Sequence, residues 1–328
     1  MIKDLCFEII QSCPNNCLFC SSCSSIDKER MIDFETFQRT IDYFMEKGGI
    51  EEISLSGGEP FLHPELFQMI TYCKQLGIRV VLFTSGIKRR EKLNIDVDNI
   101  YERKILEQMN AQPFSGVSKQ EMHELKKIGL DKIVFDFQGA SVDTYNQLMG
   151  TKNQFSYAAD SMLRASFAGL NIDVHFIPLK NNYQEFIDIL ELLEIIEVHH
   201  ISILNFVPQG RGKTNEKLLT LSSEEMQKFI EIYQKGKNQC EISIRVGIPL
   251  VNKDEHLCTA GMDKLVIKYD GTVLPCPAFK EYDITILNKL GIQTPNIYTN
   301  LEDINIVNGT RKKPLCKQLY AFSKGSLE

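Results

Sequence analysis

The stretch "CPNNCLFC", Cys13 to Cys20, places three cysteines within eight residues, and Cys23 follows at once. Three arrangements would account for such crowding: a disulfide knot, a zinc site or an iron–sulfur cluster. The opening "MIKDLCFEII" has no basic region, long apolar stretch or cleavage site of a signal peptide, which reads as a cytoplasmic chain. Stable disulfides are rare in that reducing compartment, so ten cysteines point to metal or redox chemistry. Zinc prefers four ligands, and Cys23 could supply the fourth. A cluster needs soft thiolates at short, flexible spacing, and Asn15 and Asn16 suit the tight turns this requires. The loop alone leaves zinc and cluster both open.

Around the loop, the 328 residues are 43% hydrophobic and 24% charged, enough for one large core or a large and a small domain. With 37 Lys plus Arg against 43 Asp plus Glu, the net charge of −6 argues against nucleic acid or an anionic membrane as partner. No apolar run approaches the roughly 20 residues of a membrane span. The basic clusters "KRREK" (Lys88 to Lys92) and "RKK" (Arg311 to Lys313) read as solvated surface.

From the start to about residue 237, strand-like runs alternate with amphipathic helical runs. Predicted strands are "DLCFEIIQ", "EISLS", "RVVLFT", "KIVFDF", "DVHFIPL" and "HISILNFV". They are β-branched or aromatic and often apolar on both faces, as parallel strands under helices should be. Six such units with right-handed crossovers predict an α/β fold, a partial (β/α)6 barrel of TIM type, with its chemistry at the C-terminal ends of the strands. Residues 87–128 exceed what one crossover needs and read as an insertion, a lid over that face. Beyond residue 238, "EISIRV", "KLVIKY" and "TVLPC", with a turn at Asp270-Gly271, predict a small α+β domain rich in cysteine, running to residue 328.

The cysteine loop follows the first strand directly. Cys13, Cys17 and Cys20 form CxxxCxxC, with Phe19 just before the last cysteine. The second strand ends in "SGGEP" (Ser56 to Pro60) and the third in "TSG" (Thr84 to Gly86). This ordered set, over about residues 4 to 212, resembles the radical S-adenosylmethionine (SAM) superfamily. The resemblance implies that Cys13, Cys17 and Cys20 hold a four-iron four-sulfur cluster whose open iron takes SAM. It implies that Phe19 lies beside the adenine and that Gly57, Gly58 and Glu59 receive the methionine ammonium. Ser85 would touch the ribose or carboxylate, Gln138 would stand where relatives have an Asp, and Val207 would lie along the adenine. It also implies reductive cleavage of SAM to a 5′-deoxyadenosyl radical that takes a hydrogen from the substrate, with flavodoxin or ferredoxin as reductant. No residue beyond these cofactor contacts is assigned a catalytic role. Cys6 and Cys73 read as core thiols, Cys23 as a spare loop thiol, His63 as structural, and His175, His199 and His200 receive no role.

"CTAGMDKLVIKYDGTVLPC", Cys258 to Cys276, resembles the twitch or SPASM appendices of that superfamily, in which a hairpin ligates an auxiliary cluster. Only Cys316 follows, which implies one second cluster on Cys258, Cys276 and Cys316, its fourth ligand unassigned among Cys240, Asp263 and substrate. Relatives with such appendices act on ribosomally made peptides or on small metabolites such as aminosugars or nucleosides. The peptide reading, with epimerisation, cross-linking or dehydrogenation as outcome, is preferred. The chain begins almost at its first strand, so no fused N-terminal peptide-recognition module is expected, which weighs against the peptide reading while leaving room for a separate carrier protein. A non-catalytic zinc scaffold is the reading from another class.

Overall fold

The computed structural model describes residues 1–247, 259–280, 287–288 and 291–304. In chain order the elements are β1 (Asp4–Ile10), α1 (Phe34–Glu46), β2 (Glu52–Gly57), α2 (Leu66–Gln75), β3 (Arg79–Thr84), β4 (Ile87–Arg89), α3 (Ile100–Asn110), β5 (Phe114–Gly116), α4 (Lys119–Lys127), β6 (Lys132–Asp136), α5 (Val142–Met149) and α6 (Phe155–Phe167). There follow β7 (Ile172–Phe176), α7 (Phe186–Ile195), β8 (His200–Ile203), α8 (Arg211–Thr214), α9 (Glu216–Leu219), α10 (Ser223–Gln239), β9 (Ser243–Val246), β10 (Lys264–Ile267) and β11 (Val273–Leu274).

The six strands expected from the sequence are β1, β2, β3, β6, β7 and β8, and each pairs with the next in parallel. Helices begin where the sequence supplies caps. The Asp33 carboxylate accepts the Thr36 N–H at 2.8 Å at the start of α1, and Ser118 and Ser222 form capping boxes with Glu121 and Glu225. The buried stripe of α1 is Phe37, Thr40, Ile41 and Phe44, and the Phe37 ring packs 5.0 Å from Phe7 of β1. Strand alternation then turns Cys6 and Glu8 to the opposite, concave face, where Cys6 meets Ser56 of β2.

The sheet order is β11-β10-β1-β2-β3-β6-β7-β8-β9, an open mixed sheet rather than a closed barrel. The sequence assigned the last three strands to a separate appendix. Instead β9 extends the sheet in parallel beside β8, and β10 pairs in parallel with β1, with β11 antiparallel outside it. Both edges of the six-stranded sheet would otherwise present unpaired backbone. The C-terminal part keeps a small core of its own, built from Ala260, Val266, Leu274, Phe279, Leu287 and Ile292.

Residues 87–128 depart from the expected lid. β4 and β5 form an antiparallel hairpin carrying α3, and α4 is the ordinary crossover helix into β6. The hairpin is fastened to the outer helices. Lys88 lies between Glu91 (2.9 Å) and Glu121 (2.7 Å), Arg90 stands over the Tyr157 ring, and the Val117 N–H donates to Ser161 Oγ at 2.9 Å. The hairpin's base packs on α4, α6 and the Pro60–Leu62 turn, and its basic run is partly packed. Arg311–Lys313 lie outside the described residues. No helix among the described residues is long and apolar enough to cross a membrane.

Candidate active site

The cysteine loop leaves the C-terminal end of β1 and is stitched into place through its backbone. The N–H groups of Asn16 and Leu18 donate to the carbonyls of Met149 (3.0 Å) and Leu148 (2.9 Å) at the end of α5. From the other side, Arg211 Nε donates to the Cys17 carbonyl at 2.9 Å and an Arg211 terminal nitrogen to the Ser24 carbonyl at 2.6 Å. The Arg211 N–H reaches the Cys20 carbonyl at 3.0 Å, and Asn215 Nδ2 the Leu18 carbonyl at 3.0 Å. Two glycines permit this closeness. A side chain at Gly150, which has φ +62°, would overlap the Asn16 carbonyl oxygen, and one at Gly210, φ +57°, the Cys20 carbonyl oxygen. The clamp is thus made by backbone groups; of the thiols, Cys13 takes the Asn15 N–H and Cys17 Sγ lies 3.9 Å from Met149 Sδ, contacts weak enough to yield to a metal centre.

Cys13, Cys17 and the neighbouring Phe19 are buried. Burial, reinforced by Glu59 for Cys13 and by Cys13 itself for Cys17, pushes both thiols well above the ordinary range. Such thiols stay protonated unless a metal centre draws out the thiolates. Among the described residues no three thiol, imidazole or carboxyl groups close on one ion. Three soft thiols at CxxxCxxC spacing are a donor set that suits an iron–sulfur cluster.

"GGEP" packs directly against this loop. The Gly58 N–H donates to the Ile10 carbonyl at 2.6 Å and the Glu59 N–H to the Ser12 carbonyl at 2.9 Å. A side chain at Gly57 or Gly58 would overlap the Ile10 or Ser12 carbonyl oxygen, so the pair serves close approach of two protein backbones. Glu59 is fully buried. Its carboxylate accepts from Thr84 Oγ1 (2.6 Å), the Ser85 N–H (2.7 Å), Ser85 Oγ (2.5 Å) and the Phe61 N–H (3.1 Å). Burial raises its pKa, and these donors, Ser85 first, oppose the rise. Glu59 therefore joins the exits of β2 and β3, and brings Ser85 to the mouth.

The remaining predicted contacts divide. Phe19 belongs to the main core. Gln138 is fully buried, and its amide is engaged internally: Nε2 donates to Asp136 and to the His175 carbonyl (3.0 Å), and Oε1 accepts the Ile177 N–H (2.9 Å). Val207, 46% exposed, lies in the irregular stretch after β8. Sequence reasoning did not single out Asp136 and His175, which are direct partners across β6 and β7 on the concave face. Burial lifts the Asp136 carboxyl to about 6 and holds His175 below its usual range. The His175 ring packs at a tilt against Phe83 of β3, ring centroids 5.3 Å apart. Nor was Arg211 singled out, although "GRG" (Gly210 to Gly212) carried a signal: an arginine between two glycines, at the first position of a helix. His63 is structural, its Nε2 2.8 Å from the Ile32 carbonyl.

Of the second cysteine set, Cys276 is described. It ends the hairpin of β10 and β11, and its Sγ accepts the Ala278 N–H at 3.4 Å. Cys258 and Cys316 lie outside the described residues.

With that geometry in place, comparison with known proteins is informative. The radical SAM superfamily profile matches residues 7–193, and the chain belongs to that superfamily of enzymes. Membership implies a four-iron four-sulfur cluster and SAM, which the CxxxCxxC loop and its thiol environment fit. The PqqA peptide cyclase of Methylobacterium nodulans is 22% identical over 279 residues, covering 83% of this chain and 65% of that protein. This chain thus spans less than two thirds of that relative's length. Streptococcus suis SuiB bound to its precursor peptide SuiA aligns with TM-score 0.65 at 14% identity, covering 100% of this chain and 67% of that one. The anSMEcpe structure with AdoMet and the Cp18Cys peptide aligns with TM-score 0.61 at 15% identity, covering 92% and 80%. These structural likenesses confirm the fold.

Proposed function

We propose that this chain is a peptide-modifying radical SAM enzyme, acting in the cytoplasm on a ribosomally made peptide by epimerisation, cross-linking or dehydrogenation. The observation that carries the reading is the cysteine loop clamped between α5 and Arg211 at the mouth. The name peptide cyclase on the curated relative, and the peptides in the SuiB and anSMEcpe structures, support the substrate class. When bound, the cluster and SAM supply one-electron reductive cleavage to a 5′-deoxyadenosyl radical and hydrogen abstraction.

Cys13, Cys17 and Cys20 hold the cluster. Phe19, the Gly57–Glu59 turn, Ser85 and Val207 border SAM, with Gln138 fixing the strand ends behind it. Glu59 acts on SAM chiefly by holding Ser85 and the turn in register. Asp136 and His175 line the concave face that the substrate enters. Cys258, Cys276 and Cys316 carry a second four-iron four-sulfur cluster in a domain covering 238–328, after a core of 1–237. A flavodoxin or ferredoxin delivers electrons, and a separate carrier protein presents the peptide. The test is anaerobic purification, followed by iron and sulfide counts and mass spectrometry of short peptides encoded beside the gene after reaction with SAM and reductant. About eight irons per chain, 5′-deoxyadenosine and a mass-shifted peptide are expected. Zinc without iron would overturn the reading, and turnover of an aminosugar or nucleoside with all peptides unmodified would overturn its substrate class.

A further inference from the structure

A buried ion pair joins three parts of the chain that are far apart in sequence. Glu8, on the concave face of β1, is 1% exposed, and its Oε1 pairs with Nζ of Lys280, whose side chain is 11% exposed. Ser22, two residues past Cys20, completes the group. Its Oγ donates to Glu8 Oε1 at 2.9 Å and accepts from Lys280 Nζ at 3.1 Å. Lys280 follows the short turn Pro277–Phe279 behind Cys276. That turn is held a second time, by Gln209 Nε2 donating to the Ala278 carbonyl at 2.6 Å. Gln209 lies two residues before Arg211, whose backbone N–H and Nε hold the Cys20 and Cys17 carbonyls.

Fold stability does not explain the pair. Removing two charges from water commonly costs more than their attraction returns, and apolar side chains of the same volume would do as well. Glu8 Oε2 is moreover buried without a partner among the described residues. Burial acts to strip the Lys280 proton, but Glu8, then Cys6 and Cys20, hold the ammonium above its ordinary range. The ammonium is held between Glu8 and Ser22, and the Ser22 bond places it against the cysteine loop, two residues from Cys20.

We propose that Lys280 and Glu8 are a fixed charge pair that sets the reduction potential of the cluster carried by Cys13, Cys17 and Cys20, Lys280 favouring the reduced state and Glu8 the oxidised one. The proposal rests on the reading of that loop as the cluster site. Reduction adds a negative charge, and a unit charge in a water-poor site is weakly screened, so each member shifts the equilibrium in its own direction.

The test is an anaerobic EPR redox titration of the full chain, following the cluster signal that changes on adding SAM. Lys280→Gln should make reduction about tenfold harder, a fall of about 59 mV for a one-electron couple. Glu8→Gln should move the midpoint upward, the double variant should return towards wild type, and Lys280→Arg should leave it in place. A merely structural latch would shift both single variants in one direction, or shift neither while hydrogen exchange in residues 276–280 rises; either result overturns the proposal. If Lys280→Gln does not fold, Glu8→Gln and Lys280→Arg carry the same test: an upward shift in the first and none in the second. A wild-type protein with no SAM-sensitive signal would instead refute the reading of the loop.

Discussion

Two segments leave the C-terminal ends of β1 and β3, on either side of β2, and are built on opposite terms. The cysteine loop after β1 is held by backbone hydrogen bonds from α5 and Arg211, and two glycines admit the close contact. The arm after β3 is tied at its base, yet its helix α3 buries no residue and leaves Ile100, Tyr101 and Ile105 exposed. Ligands for a cluster must be set before it arrives, because disordered thiols lose entropy on binding. The arm carries no such requirement, and the fold does not order it to the same degree.

If the loop's order comes from Arg211, its removal should have the largest effect. Arg211→Ala deletes two charge-assisted donors, strands the Ser24 carbonyl at about 1–3 kcal/mol, and leaves the Cys17 carbonyl only the Cys20 N–H at 3.2 Å. Cluster content after anaerobic reconstitution should fall severely, and SAM cleavage with it by roughly a hundredfold, while far-UV circular dichroism stays close to wild type. Arg211→Lys cannot span both carbonyls and should recover little. Full iron loading in the alanine variant would show that the α5 side alone suffices.

Glu59→Gln comes next. Four donors converge on the carboxylate, and an amide must turn its own N–H groups towards one of them. Losing a charged acceptor in a buried site weakens the network by about 1.5–3 kcal/mol, so SAM affinity should drop roughly ten- to a hundredfold. Titration calorimetry on cluster-loaded protein measures it. Unchanged affinity would separate the β2–β3 junction from SAM.

What the sequence disclosed and what it hid follow the same division. β1, β2, β3, β6, β7 and β8 were legible because buried parallel strands read as continuous apolar runs bounded by caps and glycines. The cysteine spacing was legible because few chemistries tolerate it. Contacts between distant segments were not: nothing local in "KLVIKY" says that it pairs with β1, and nothing in "FDFQGA" says that Gln138 bonds to β7. The glycines of "GGEP" were read as room for a ligand, whereas they also admit the Ile10 and Ser12 carbonyls. The arm was read as a lid because length alone cannot say which surface an insertion packs on; Lys88–Glu121 and Arg90–Tyr157 decide it.

Asp136 gives a smaller, pH-dependent effect. Burial lifts its carboxyl to about 6, against about 3.9 in an unfolded chain. The native state therefore holds the proton more tightly. The stability this gives is complete below about pH 3.9 and is lost as pH rises through about 6. Asp136→Asn cannot ionise and escapes that loss. Relative to wild type, the variant should gain about 2 kcal/mol between pH 4 and pH 7.5, as read by urea titrations. A pH-independent difference would mean that the carboxylate is solvated in the native protein.

The smallest effect belongs to the arm. Tyr101, 76% exposed, and Ile100 and Ile105 face solvent, and the helix is capped by its own Asn99, whose Oδ1 accepts the Tyr101 and Glu102 N–H groups at 2.9 and 3.2 Å. Replacing the three by Ser removes little buried apolar surface, and only modest helix propensity opposes the change, a few tenths of a kcal/mol per residue. The global unfolding free energy should therefore change by no more than about 1 kcal/mol. Iron content and SAM cleavage should equal wild type, because the three residues lie on the exposed helix α3, whereas the base of the arm packs on α4, α6 and the Pro60–Leu62 turn. Melting curves and a 5′-deoxyadenosine assay on the triple variant measure both. A loss of several kcal/mol, or of SAM cleavage in folded protein, would mean that the arm closes on the mouth in solution, and the contrast between a fixed loop and an independent arm would fail.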